Sequence, residues 1–154
     1  MSKTTLIISL AFAVVLFGCG GGKSKIDQIK EASKMTPSDP YELWESNHGI
    51  GPIKAFEFPA EIDEDMALRG QEVYDAKCTA CHKAEKKFIG PSPKGIYEKR
   101  TPAWVMNMIL NPVEMVQKDP IAKKLLMEFN GSPMANQNLT EEEARAVLEY
   151  FRTL

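Results

Sequence analysis

Histidine and cysteine are scarce in this chain, two and three among 154 residues. A zinc site built on the cysteines at 78 and 81 would need a second ligand pair. Only Cys19 and His48 remain outside that stretch, with no paired spacing. Excess charge is also lacking. Lysine and arginine number 19 against 21 acidic residues, a net charge of −2, so no bulk basic signature for nucleic acid is present. The longest apolar run, Leu6 to Phe17, is broken only by Ser9. It is shorter than the roughly 20 residues that a membrane-spanning helix needs. Strand-like alternation, internal repeats and low-complexity tracts are missing, as is the βαβ pattern that a thioredoxin-like thiol pair would require.

What is there centres on Cys78-Thr79-Ala80-Cys81-His82. Two thiols three positions apart, followed directly by histidine, fit covalent attachment of haem c. Each thiol can add to one vinyl group of the porphyrin. One helical turn presents both sulfurs to the same ring edge. His82 then lies under the ring, where an imidazole nitrogen can bind iron. The motif is strong in an exported chain and weaker in a cytosolic one.

Residues 1–19 read as an export signal. Lys3 supplies a positive start and Leu6 to Phe17 a signal-type apolar core. Leu16-Phe17-Gly18-Cys19 resembles a bacterial lipobox, although Phe17 is bulkier than usual at its position. Cys19 would then carry a thioether-linked diacylglycerol, making the chain a lipoprotein of the bacterial cell envelope, facing the periplasm or the cell exterior. With Cys78 and Cys81 on haem, no cysteine is left for a disulfide. Residues 20–62 read as a tether or linker, opened by Gly20-Gly21-Gly22 and punctuated by prolines and glycines. Its second half carries Trp44, Ile50, Ile53, Phe56 and Phe58, which would pack on the domain. A flexible tether of about 40 residues spans roughly 35 Å.

Residues 63–154 form the compact domain and read as all-α. Asp63 predicts a helix start, with Glu64 and Asp65 in the first turn. Gly70, Tyr74 and Cys78 lie along one face of that helix, and glycine there permits close approach of a second helix. Thr101-Pro102 and Asp119-Pro120 each pair an N-cap with proline at the first helical position. Asn111-Pro112 interrupts the helix begun at Pro102, and Asn130-Gly131 stops the one begun at Pro120. Thr140 to Glu143 is a capping-box pattern before a last helix that turns Ala144, Val147, Leu148 and Phe151 inward.

These residues together resemble the class I, mitochondrial-type monohaem cytochrome c family over about residues 63–154. Gly70 and Tyr74 precede the haem motif, and Val147 and Tyr150 stand three apart on the final helix. In the family these positions form the contact between first and last helices. Gly90-Pro91 matches the family's Gly-Pro, whose proline carbonyl orients the histidine ring. Met134, in a loop before the last helix, matches the sixth iron ligand. The chemistry is compatible: the second imidazole N–H needs an acceptor, and a soft thioether favours Fe(II) and raises the potential. His48 is the rival sixth ligand. The resemblance also suggests that the Trp104 N–H or Arg100 holds a haem propionate, against the plainer reading of Trp104 as core and Arg100 as surface.

The implied fold is a small all-α, class I cytochrome c-like domain around one covalent haem. The implied function is carriage of single electrons between respiratory-chain components, with no substrate bond made or broken. Asn111-Pro112, Asp119-Pro120 and residues 130–140 are similar to small cytochromes associated with nitrous oxide reduction, and a terminal oxidase is the competing acceptor. Between Lys77 and Arg100 seven basic residues face two acidic ones, a charge that can steer an acidic partner. The alternative is a haem-based gas sensor or peroxidase-like protein with an open iron site, if Met134 does not bind.

Overall fold

A computed structural model describes residues 39–154, and all elements among them are helical. Residues 1–19 with Cys19, and the first part of the 20–62 tether, lie outside the described residues. Five α-helices follow a short 3-10 turn at Pro40–Ser46: α1 Glu64–Lys77, α2 Pro102–Leu110, α3 Pro112–Lys118, α4 Pro120–Glu128 and α5 Glu141–Arg152.

Local chemistry sets each boundary. Asp63 caps α1 by accepting the Met66 N–H at 2.9 Å, and Lys77 sits in its last turn. Thr101 caps α2 through the Trp104 N–H at 3.1 Å. Asp119 caps α4 through the Ala122 N–H at 2.8 Å. Both of these helices begin on proline, which needs no N–H partner there. α4 ends where Asn130 and Gly131 turn left-handed, with φ of 57° and 72°. The Thr140–Glu143 capping box is closed in both directions, at 2.8 and 3.1 Å. Asn111-Pro112 does interrupt α2, but Pro112 also opens α3, because proline is as much a start as a stop.

α1 crosses α5 in close contact. A β-carbon at Gly70 would fall onto the Ala146 backbone carbonyl, so glycine is what lets the backbones meet. The aromatic rings of Tyr74 and Tyr150 lie 5.3 Å apart at the same crossing. The core combines Trp104, Val105, Met106 and Ile109 of α2 with Met115 of α3, Ile121 and Ala122 of α4, and Ala144, Val147 and Leu148 of α5.

The strap at residues 39–62 packs on this core through Tyr41, Trp44, Ile50, Ile53, Phe56 and Phe58. Polar side chains pin it. Asn107, fully buried in α2, donates to the His48 and Ile53 carbonyls at 2.8 Å each and accepts the Ile53 N–H at 3.1 Å. At the far end Glu149, also fully buried, pairs with Arg145 and Arg152 at 2.6 Å each. Arg152 donates in turn to the carbonyls of Pro59, Ala60 and Glu61.

Candidate functional site

The end of α1 runs directly into the Cys-x-x-Cys-His stretch. Cys78 is the C-cap, its N–H still bonded to the Tyr74 carbonyl at 2.8 Å. The N–H groups of Cys81 and His82 both return to the Cys78 carbonyl, at 3.0 and 2.8 Å. This tight turn keeps both thiols and the imidazole on one wall of a cavity of about 680 Å³, which all three line. The size lies within the ordinary range for a bound organic group. Cys78 is half-buried and Cys81 exposed. Burial, with Cys81 nearby, pushes the Cys78 thiol up to about 11.

His82 is held by a backbone acceptor. Its Nδ1 lies 2.7 Å from the Pro91 carbonyl oxygen. A carbonyl can only accept, so Nδ1 carries the proton and Nε2 keeps a free lone pair. Gly90 permits this arrangement: a β-carbon there would sit 2.5 Å from Cε1 of the ring. The Gly90 N–H is bonded to the Cys81 carbonyl at 2.8 Å, tying the loop to the thiol turn.

Met134 lies in the loop between α4 and α5, partly buried, and lines the same cavity. His48 does neither; its side chain is exposed and outside the cavity lining, and only its carbonyl is used, by Asn107. Arg100 also lines the cavity and is 6% exposed. Its Nη1 donates to the Lys99 carbonyl, while its buried Nε has no partner. Burial pushes its guanidinium below the usual arginine range.

Trp104 lines the cavity with its ring, but its N–H goes elsewhere. Nε1 donates to Asp119 Oδ1 at 3.0 Å. Indole has a single donor, so the expected bond from Trp104 to a propionate is replaced by an internal one. Sequence reasoning missed Asp119 as that acceptor, and missed Tyr41, which lines the cavity together with Trp44. Aromatic side chains in a proline-broken stretch were the available signal.

The surface charge near the cavity is also smaller than the sequence count. Arg100 is buried, and Lys94 pairs with Glu85 at 2.7 Å. Lys83 and Lys87 lie over the rings of Phe88 and Phe129, at 5.1 and 4.4 Å. Among the described residues no three His, Cys, Asp or Glu side chains converge as a zinc site would need.

The cavity residues fit haem c. Two thiols, a free imidazole nitrogen and a thioether share a mostly apolar cavity, and the unpartnered Nε of the Arg100 guanidinium suits a carboxylate. The cytochrome c sequence profile matches residues 67–154. The chain belongs to the cytochrome c family.

Solved structures agree. A cytochrome c from Rhodothermus marinus is 39% identical, with a TM-score of 0.65, over 75% of this chain and 96% of its own. An engineered form of that protein, bound to a carbene intermediate, is 39% identical with a TM-score of 0.63, over the same shares of both chains. A cytochrome c domain from Pseudomonas putida is 27% identical with a TM-score of 0.51, over 55% of this chain and 85% of its own. No curated protein matches the chain. This cytochrome is a class I monohaem protein that binds haem c covalently and transfers electrons.

Proposed function

We propose that this cytochrome is lipid-anchored through Cys19 and carries single electrons outside the cytoplasmic membrane, between a membrane donor and a terminal reductase or oxidase. Cys78 and Cys81 would hold the haem as thioethers, and His82 and Met134 would supply the ligands to its iron. Bound haem supplies one-electron chemistry. The chain's own residues do the rest: Pro91 fixes the His82 tautomer, the apolar walls exclude water, and Arg100 would hold a carboxylate of the group through its unpartnered Nε. The observation that carries this reading is the bond from His82 Nδ1 to the Pro91 carbonyl, with Met134 lining the same cavity.

Partner docking has support in the surface beside Cys81. Phe88 and Ile89 are each 49% exposed among Lys83, Lys86 and Lys87. An apolar centre with a basic rim suits an acidic redox partner, with nitrous oxide reductase and a haem-copper oxidase as the two acceptor classes in view.

An absorption spectrum of the holoprotein with and without carbon monoxide tests the ligand set. The expected spectrum is low-spin, shows the weak methionine–iron band, and is unchanged by carbon monoxide. Met134→Ala loses that band and binds carbon monoxide. A high-spin wild type would overturn the closed-carrier reading in favour of gas or peroxide chemistry. Cys19→Ser is expected to move the protein from the detergent phase to the aqueous phase.

A further inference from the structure

The family profile begins at residue 67, yet two residues of the cavity wall, Tyr41 and Trp44, lie well upstream of it. Both sit in the 3-10 turn Pro40–Ser46. Tyr41 faces the most unusual charge in the cavity. The Arg100 guanidinium lies 4.4 Å from its ring centre and 5.3 Å from that of Trp104. Arg100 is 6% exposed, its Nε has no partner, and no carboxylate among the described residues pairs with it. Beyond the Nη1 bond to the Lys99 carbonyl, two aromatic faces hold this cation in place, an interaction worth more when water is excluded.

Tyr41 is itself fixed. Its hydroxyl donates to Glu128 Oε2 at 3.0 Å, and its N–H donates to Asp39 Oδ1 at 2.9 Å. Lys124 of α4 pairs with Asp39 at 2.6 Å and lies 4.1 Å from the Tyr41 ring centre. The far end of the turn is tied by the Thr101 hydroxyl, which donates to the Asn47 carbonyl at 2.6 Å, and by Asn47 Nδ2 on Asp119 at 2.7 Å. The turn is thus clamped to α4 and to the start of α2, with Tyr41 against Arg100.

We propose that Tyr41 is a positioning residue for electron transfer: its ring holds the Arg100 guanidinium at the cavity and shuts water out, so the upstream turn raises the reduction potential. This rests on the chain being a haem-loaded carrier. The physical reason is electrostatic. Oxidation adds positive charge inside the cavity, and a dry, fixed cation beside it opposes that change. Water admitted at the same place screens the cation and removes the opposition.

The test is redox titration of holoprotein variants against wild type. Tyr41→Leu keeps apolar bulk but removes the aromatic face. It is expected to lower the reduced-to-oxidised ratio at fixed poise by about three- to tenfold, a tenfold change being about 59 mV for one electron. Tyr41→Phe keeps the face, loses the Glu128 bond, and is expected to titrate as wild type. In an Arg100→Leu background, Tyr41→Leu is expected to add little, since it acts through the lost cation. An unchanged potential in Tyr41→Leu, or an equal further drop without Arg100, would overturn the proposal. Absence of covalent haem from the wild type on a denaturing gel would instead overturn the reading beneath it.

Discussion

Glu149 carries a full negative charge where no side-chain surface reaches solvent. Burial alone would raise its carboxyl, but the Asp63 N–H at 2.9 Å and the guanidiniums of Arg145 and Arg152 outweigh burial. The group is therefore held below its ordinary value of 4.5. On acidification the unfolded chain takes up this proton first. The associated stability is complete above 4.5 and is lost as the pH falls through the lower, folded value. Glu149→Gln leaves two guanidiniums facing a neutral amide and is expected to cost about 3 kcal/mol near neutral pH. Thermal unfolding of both holoproteins from about pH 7 down to about pH 3 checks this: the gap between them should narrow on acidification. A constant gap would mean that the carboxylate charge is not what matters.

At the scale of elements, the strap and α2 depend on one amide. Asn107 sits on a helix whose other inward residues are apolar, yet it satisfies three strap backbone groups. A β-carbon at Gly51 would collide with the same amide, so the fit is close. Asn107→Ala strands those groups and is expected to destabilise the fold by about 3 kcal/mol, from roughly 1 kcal/mol for each lost partner. Limited proteolysis should then cut between about residues 47 and 56, with α1 and α5 still intact. Elements were legible wherever their signal was local. Thr101-Pro102, Asp119-Pro120 and the Thr140–Glu143 box each state a helix start within four residues, and Cys78 to His82 states the site within five. What could not be read were contacts made across the fold. Trp104 finds Asp119 on another helix, Tyr41 finds Arg100 from outside the family region, and Asn107 looks like a flaw in an apolar stripe until the strap lies on it. Each needs the tertiary arrangement before its partner exists.

At the scale of the whole molecule the cavity and the core share their walls. Trp104, Val105, Ile109 and Val147 belong to the buried cluster and also line the cavity. The core is thus built around the cavity rather than beside it. A cavity of about 680 Å³ left unfilled costs on the order of 10 kcal/mol at about 24 cal/mol per Å³, even after discounting for its open mouth. That is as large as the whole stability of an ordinary domain, about 5–15 kcal/mol. The buried Arg100 Nε would be left without a partner as well. Local helix signals cannot offset such a deficit, because isolated helices the length of α1 to α5, 14 residues at most, are marginal in water. The haem-free chain is therefore expected to be largely unfolded. Far-ultraviolet circular dichroism of a Cys78→Ala/Cys81→Ala protein, purified without haem, should show most of the helical signal lost. Near-native helicity in that protein would mean that the strap and the α1–α5 crossing hold the fold unaided. The haem would then be a passenger in a scaffold that stands without it.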